Sequence, residues 1–441
     1  MSQQVIVIGG GPSGLMAAIA AADAGASVLL LDKGEALGRK LAISGGGRCN
    51  VTNAKDIDEL IRFIPGNGRF LYSALSSFGN RQIIDFFTAL GIALKEEDHG
   101  RMFPVSDKAK TVVDALLAKV RALGVNIRTS CAVKQLLMSE LPLDVNRFAG
   151  NHVHGVLTED DETLQAKAVI IATGGCSVPH TGSTGDGYPW ARAAGHTITE
   201  LFPTEVPITV LDSFVRDRTL QGLSLRNIAL TVWSPKAKKV KTHEGDLIFT
   251  HLGLSGPAAL RCSQYVVKTL KTFACSEIKL TIDLVPPCHA NEVEQTLRST
   301  AKRESKKALK NVLKACFSEW QLPERLIPTL LGLCQIDGEL TAPQISNNAW
   351  QTLTLYIKQF PLHANGTLSL SEAFITGGGV SIKEIDPRTM ASQLAAGLYF
   401  CGEVMDIHGY TGGYNITAAF ASGHCAGRSA AQFAISEANP L

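Results

Sequence analysis

The stretch "VIVIGGGPSGLMAAIAAADAGASVLLLDK", Val5 to Lys33, restricts the possible folds more than any other part of the chain. Val5 to Ile8 is a short apolar run bounded by glycines, the pattern of a buried strand. Ser13 to Ala24 is rich in alanine, the residue that loses least on entering a helix. Gly25 ends that helix, and Ser27 to Leu31 is a second apolar strand. Between the first strand and the helix stand Gly9, Gly11 and Gly14, a G-x-G-x-x-G spacing that encloses Pro12 and Ser13. In such a turn the first glycine allows the tight bend. The second lets the backbone approach a pyrophosphate, and the third lets helix and strand pack closely. The helix N-terminus offers free N–H groups and its positive dipole end to the phosphates. Asp32 closes the second strand 18 positions after Gly14, where a carboxylate can accept hydrogen bonds from a ribose diol, and Lys33 follows it. Strand, turn, helix, strand and acid in this order predict a βαβ unit that binds a dinucleotide.

Two further blocks bear on which dinucleotide. "GRKLAISGGGRCNVTN", Gly38 to Asn53, begins six residues after Asp32. Gly45, Gly46 and Gly47 would let backbone amides reach a pyrophosphate or an isoalloxazine edge, with Ser44 and Asn50 beside them. Arg39, Lys40 and Arg48 can balance phosphate charge. Near the other end, "GLYFCGEVMDIHGYTGGYNITAAFASGHCAG" spans Gly397 to Gly427. Leu398 to Cys401 reads as a strand and Gly402-Glu403 as a turn with an acid. Gly412 and Gly413 then precede a helix from about Asn415 to Ala430, with Ile416 in its first turn. A carboxylate at Glu403 could bind ribityl hydroxyls. The helix N-terminus could stabilise charge at the N1–C2=O side of a reduced flavin. Two nucleotide-facing blocks so far apart imply a discontinuous domain and FAD, since an NAD-only dehydrogenase does not need the second block.

The motifs "GGGPSGLMAA", "LLLDKGEALGRKLAISGGGRCNVTN", "PGNGRFLYSAL", "GRMFPVSDKA", "ATGGCSVPHTGSTGDGY", "FTHLGLSGPAALR", "FITGGGVS" and "FCGEVMDIHGYTGGYNI" extend from end to end. On them the chain resembles the bacterial FAD-dependent oxidoreductases called YhiN-like or BaiN-like, with a glutathione-reductase type of FAD domain. That resemblance implies bound FAD, a β-barrel-like second domain, a small helical domain inserted within it, and redox chemistry. It also implies that the backbone near Val133 touches the adenine, and that Thr173 and Gly174 carry the chain past the cofactor. Substrate is poorly implied, because described members include a reductase of dehydro bile acids and an oxidase of aminoacetone.

The expected fold class is therefore α/β. Residues 1–195 and 368–441 would form a discontinuous Rossmann-like FAD-binding domain, 196–287 and 359–367 a β-rich substrate domain, and 288–358 an inserted helical subdomain. Asp107 to Leu123 reads as an amphipathic helix and Asn126 to Met138 as two strands. The chain of 441 residues has a net charge of +2. No basic run is interleaved with aromatics, so no nucleic-acid partner is expected. The first residues lack a basic leader, and the apolar stretch from Val5 to Leu31 is broken by glycines, Pro12 and Asp23, so neither a targeting segment nor a membrane span is expected. Ten cysteines without a C-x-x-C pair suit reduced thiols in the cytoplasm. Oligomeric state is left open.

Cys49 sits in the segment where flavin disulfide reductases carry two cysteines, but the position five after it is Ala54. Disulfide reduction is therefore not expected, and Cys49 reads as packing. His408 and Tyr410, in "DIHGY", could serve as general acid or base beside the flavin, or simply order their loop. His152 and His154 share one strand face beside no further ligand, so no metal is expected. Ser255 lacks a nucleophile elbow. No second G-x-G-x-x-G appears mid-chain, so any NAD(P)H would bind transiently at the flavin. The expected function is hydride transfer between a small organic substrate and non-covalent FAD, as an oxidase or an NAD(P)H-dependent reductase. A different class stays open, a binding or scaffold protein in which FAD is mainly structural.

Overall fold

The computed structural model describes residues 4–140 and 151–436. It divides into two compact units, residues 1–202 with 374–441, and residues 203–373.

The first unit is built on a parallel sheet of β1 (Val5–Ile8), β2 (Val28–Leu31), β3 (Asn126–Arg128), β4 (Ala168–Ile171) and β5 (Leu398–Phe400), in the order β5-β4-β1-β2-β3. Val5 pairs with Val28 on one side and Ala168 on the other. Every residue of β1, β2 and β4 is buried, so these strands read as unbroken apolar runs rather than alternating ones. Helix α1 (Pro12–Asp23) follows β1, and helix α2 (Arg39–Gly47) follows the turn after β2.

The C-terminal helix, here α4 (Tyr414–Ser436), packs against α1. Small residues make that approach possible. A Cβ on Gly423 would lie 2.3 Å from the Ser13 carbonyl oxygen, and one on Gly427 would lie 2.2 Å from that of Ala17. Two smaller sheets flank this frame. One joins Ala395–Ala396, Asn151–Thr158 and Val133–Glu140, and the other joins Thr52–Asn53, Arg101–Pro104 and Leu94–Glu97.

The second unit is a closed antiparallel barrel. Its strands run around the barrel as Ile208–Val210, Gly253–Ser255, Lys239–Phe249, Ser224–Trp233, Ile278–Asp283 and Phe360–Thr367. Helix α3 (Pro257–Phe273) packs on it through Ala258, Ala259, Cys262 and Val266. Four helices, Ala290–Arg303, Leu309–Glu319, Ile327–Cys334 and Asn347–Lys358, are inserted between the last two barrel strands. Their apolar faces share one core with the barrel, including Val293, Leu313, Phe317, Leu353 and Phe360.

One local difference from the sequence reading concerns residues 39–47. They begin as a helix rather than a loop, and the helical geometry fails from Ser44 through the three glycines. Arg39 to Ile43 contains no breaker, so the helix runs until the glycines end it.

Candidate functional site

The three glycines after β1 occupy three different environments. Gly9 has φ of +105°, and a Cβ there would meet the Ala172 carbonyl oxygen at 2.6 Å. A Cβ on Gly14 would lie 1.8 Å from the Gly9 carbonyl oxygen, so this position sets how closely α1 meets β1. Gly11 has nothing within 4 Å of its Cβ position. Its open face, at the N-terminus of α1, is the cradle that a pyrophosphate would fill. Pro12 holds the first helical position, where its missing N–H costs nothing.

Asp32, at the end of β2, accepts hydrogen bonds from the Gly10 N–H at 2.7 Å and the Gly34 N–H at 2.7 Å. Arg39 stands 3.7 Å from it. The Cys131 N–H donates to the Asp32 carbonyl, which brings the chain leading to Val133 against the same turn. Lys33 is tied to Asp186 at 2.5 Å, so its ammonium is engaged within the protein.

The glycine-rich stretch and the C-terminal block meet in space. The Asn53 side-chain amide donates to the Gly412 carbonyl at 3.0 Å, and the Thr52 and Thr417 hydroxyls are 2.7 Å apart. A Cβ on Gly413 would sit 2.6 Å from the Thr52 carbonyl oxygen. Gly45, Gly46 and Gly47 all have positive φ, at 58°, 69° and 83°. Three consecutive residues in this region are costly for anything but glycine. Cβ positions on Gly46 and Gly47 face open space.

Glu403 is held by three groups. Lys40 donates to it at 2.8 Å, the Ser177 hydroxyl at 2.9 Å and the Thr376 N–H at 2.7 Å, while Lys40 also reaches Ser177 at 2.8 Å. Burial alone would push the Glu403 carboxyl up, but Lys40, the Thr376 N–H and Ser177 outweigh it and hold the group below the ordinary glutamate value. Sequence reasoning did not name Ser177 or Thr376. Both lie in motifs already quoted, but their shared target is set by the fold.

Arg48 finds its charged partners within the protein. Its guanidinium binds both Glu97 and Asp107, with Nε to Asp107 at 2.8 Å, and lies 4.2 Å from the centre of the Phe103 ring. These hydrogen bonds raise the Arg48 pKa and lower that of Glu97, while Asp107 is held below the ordinary aspartate value by Lys95 first and by Arg48 second. The arginine therefore clamps the end of the glycine stretch to the hairpin of Leu94–Pro104. Arg48→Ala and Asp107→Ala should loosen FAD by a similar factor, of roughly fivefold for a weakened exposed clamp. Equilibrium dialysis checks this, and a loss confined to Arg48→Ala would put the guanidinium on the cofactor.

Cys49 is fully buried, with φ of +61°. Burial pushes its thiol up to about 12, which leaves no thiolate at neutral pH. Cys49→Ser should keep FAD and lose less than about twofold in flavin affinity. Loss of flavin in that variant, read from its visible spectrum, would overturn the packing role.

His408 and Tyr410 are 2% and 3% exposed. The His408 ring packs on Gly66, where a Cβ would sit 2.1 Å from its Nδ1, and meets Phe202 edge-on at 5.4 Å. Gly66 and His408 exchange backbone hydrogen bonds. Asn415, in the first turn of α4, accepts from the Gly409 N–H at 2.7 Å and donates to its carbonyl at 2.8 Å. Ile416 beside it is half-buried. Both rings are thus packed within the loop between Glu403 and α4.

Among the described residues, the buried polar atoms that lack a hydrogen-bond partner include Asn50 Oδ1 and Thr173 Oγ1. The first lies beside Gly413; the Thr173 backbone lies beside Gly9 while its hydroxyl faces Gly187, and Gly174 follows at φ +74°. Orphaned buried polar groups are expensive and rare. With the open faces of Gly11, Gly46 and Gly47, they fit a dinucleotide whose polar atoms complete them. Tyr188, buried with an equally unpartnered hydroxyl, escaped the sequence reading because nothing local marks it. All ten cysteines are free, and among the described residues no cluster of His, Cys, Asp and Glu is placed to hold a metal ion. No helix among them is long and apolar enough to cross a membrane.

A Rossmann sheet with these glycine turns, and a separate antiparallel barrel, define a two-unit flavoprotein of the FAD-binding class. The chain belongs to the family described as HI0933-like protein Rossmann domain, whose model matches residues 3–429. It is 31% identical over 428 residues to the 3-dehydro-bile acid delta(4,6)-reductase of Clostridium scindens, covering 97% of this chain and 98% of that protein. It is 32% identical over 420 residues to the ribosomal RNA dihydrouridine synthase of Escherichia coli, covering 95% of each. Among solved structures, 3-ketosteroid delta1-dehydrogenase from Sterolibacterium denitrificans shares the fold at a TM-score of 0.53 and 14% identity, covering 99% of this chain and 100% of that one. The protein is a flavin-dependent oxidoreductase.

Proposed function

We propose that this protein is a reductase that saturates a carbon–carbon double bond conjugated to a carbonyl group. The observation that carries the reading is the pair of relatives. One, by its name, reduces double bonds of a 3-keto steroid acid, and the other produces dihydrouridine from uridine. Both reactions place hydride on an electron-poor alkene carbon and a proton on its neighbour next to the carbonyl. Bound FAD would supply the hydride carrier that no side chain can provide.

The chain's own residues would bind and orient. Gly11 and the α1 N-terminus would hold the pyrophosphate, Asp32 the ribose, and Gly45 to Gly47 the central backbone of the cofactor. Asn50 and Thr173 would complete their hydrogen bonds on it. Lys33 and Arg48 would act from outside, through Asp186 and the Glu97–Asp107 clamp. Val133, Gly174, Gly402, Gly412, Gly413, Asn415 and Ile416 would shape the cradle by backbone and packing. A proton-donor role for His408 or Tyr410 requires their loop to move, since both rings are nearly closed to solvent. NAD(P)H, binding transiently, is the proposed electron source. Ten free thiols support a reducing compartment, the cytoplasm.

The test is anaerobic. The FAD-loaded protein is photoreduced, then mixed with a 3-keto-Δ4 steroid or with a uridine-containing RNA. Recovery of the oxidised flavin spectrum, together with saturated product, is expected from one of them. Reduced flavin that oxygen reoxidises but no conjugated carbonyl does would overturn the reading and favour an oxidase. Flavin that stays unreactive toward every donor and acceptor would favour the scaffold alternative.

A further inference from the structure

The expectation that no nucleic acid is bound rested on the linear sequence, in which lysines and aromatics are not interleaved. The barrel unit interleaves them in space. Residues 203–373 carry 20 Lys and Arg against 15 Asp and Glu, a net charge of +5, whereas the remainder of the chain stands at −3. The excess is concentrated. The hairpin formed by Ser224–Trp233 and Lys239–Phe249 places Lys236, Lys238, Lys239 and Lys241 within six residues of its tip, all exposed. Helix α3 packs along this hairpin and adds exposed Lys268 and Lys271 at its C-terminal half. Neither residues 233–243 nor residues 262–276 contain an aspartate or glutamate.

Two aromatic side chains tie the lysines of the hairpin to those of the helix. Lys236 Nζ stands 5.9 Å from the Phe273 ring centre, and Lys241 Nζ stands 5.9 Å from that of Tyr265. Phe273 is 38% exposed, and Val240, between Lys239 and Lys241 on the hairpin, is 38% exposed as well. Among the described residues, no ion pair joins Lys236, Lys238, Lys239 or Lys241 to a carboxylate. The other basic run of this unit behaves differently. On the inserted helices Lys307 pairs with Glu304 at 3.1 Å, Lys314 with Glu324 at 3.2 Å, and Lys310 with Glu339. Those three lysines are neutralised by carboxylates. The hairpin tip is not, and its crowded ammonium groups repel one another until a polyanion or salt screens them.

We propose that this lysine and aromatic surface of the barrel unit docks RNA. Lysines would take the phosphate backbone without reading sequence, and Phe273, once Lys236 turns to phosphate, would offer a face on which an unpaired base can stack. A free small molecule such as a steroid acid needs no such surface, so the patch favours a polynucleotide as the carrier of the reducible ring. The inference rests on the proposed reductase reading for the bond that is reduced, but not for the binding itself.

The experiment uses oxidised, FAD-loaded protein and a fluorescein-labelled RNA stem-loop with uridines in its loop, followed by anisotropy across a salt series. Replacing Lys236, Lys238, Lys239 and Lys241 together by alanine should weaken binding at least about a hundredfold at low salt. It should also reduce the slope of log affinity against log salt by about 3, as expected for four lost single-strand phosphate contacts. Phe273→Ala should cost about tenfold without changing the slope. A charge-matched control, with Lys302, Lys307, Lys310 and Lys314 replaced by alanine, should bind RNA like the parent.

Visible spectra and thermal melting confirm that each variant keeps its flavin and fold. Unchanged RNA binding in the hairpin variant overturns the proposal, as does an equal loss in the control. RNA binding that is retained while binding to phosphatidylserine vesicles is lost would make the patch a lipid surface, and the proposal would fall. Because no turnover is measured, this outcome is independent of whether a conjugated carbonyl reoxidises the flavin.

Discussion

Gly11→Val should give a folded but colourless protein. The Cβ of residue 11 meets no atom within 4 Å, so the free protein has room for the new side chain. Gly11 is the N-cap of α1 with φ of −76°, a conformation valine also adopts. The change should therefore cost the free protein no more than about 1 kcal/mol, the typical loss on replacing an acceptable cap. The same methyl groups would occupy the space in front of the α1 N-terminus. Crowding of that kind is worth roughly 3 kcal/mol or more, a fall in FAD affinity of over about a hundredfold. Flavin content after reconstitution and urea denaturation of the free protein measure the two effects separately. Gly14→Val provides the contrast. Its Cβ would lie 1.8 Å from the Gly9 carbonyl oxygen, so this variant should fail to fold rather than merely lose its cofactor. Stoichiometric flavin in Gly11→Val would move the pyrophosphate elsewhere.

Lys40→Ala should destabilise the protein by about 1.5–3 kcal/mol at neutral pH, the usual worth of a hydrogen bond to a charged group in a partly buried site. Lys40 is the ammonium that offsets the burial of Glu403, at 2.8 Å. In the parent, the Glu403 carboxyl is held below its ordinary value in the folded state. A group depressed in this way contributes stability that is fully present above its unfolded pKa of roughly 4.3. That contribution is lost as the pH falls through the lower, folded value. Without Lys40, burial dominates and the carboxyl titrates at higher pH. The stability gap between parent and variant should therefore be widest near pH 7 and should close in acid. Urea denaturation from neutral to acidic pH reads this directly. A gap that stays constant with pH would show that Lys40 acts by packing along its stem, with no contribution from its charge.

Much of the cofactor frame was legible because it is local. The strand, glycine turn, helix, strand and acid of residues 5–32 lie within one short segment, and each residue type has a backbone or packing reason to stand there. The start of the C-terminal helix was legible for the same reason, since Gly412 and Gly413 interrupt the pattern directly before it. The partners of charged side chains were not legible. Arg48 meets Glu97 and Asp107 across 49 and 59 residues of chain. Glu403 gathers Lys40, Ser177 and Thr376 from three separate segments. His408 and Tyr410 carry catalytic chemistry by residue type, but nothing local reveals that both rings are closed in. The spatial interleaving of lysine and aromatic groups on the barrel was hidden as well, because Lys236 and Phe273 meet only through the packing of α3 on the hairpin.

By itself the amino-acid order determined where the backbone has to bend, where it has to come close to a ligand, and which runs have to be buried. Those properties depend on φ and ψ preferences and on the apolar surface of neighbouring residues, which a linear sequence states outright. Only the tertiary structure decided which charge neutralises which and which polar atoms are left waiting for a partner. A hydrogen bond or ion pair reaches about 3 Å through space and takes no account of separation along the chain. Lys40 and Glu403, 363 residues apart, are therefore neighbours by virtue of the fold alone.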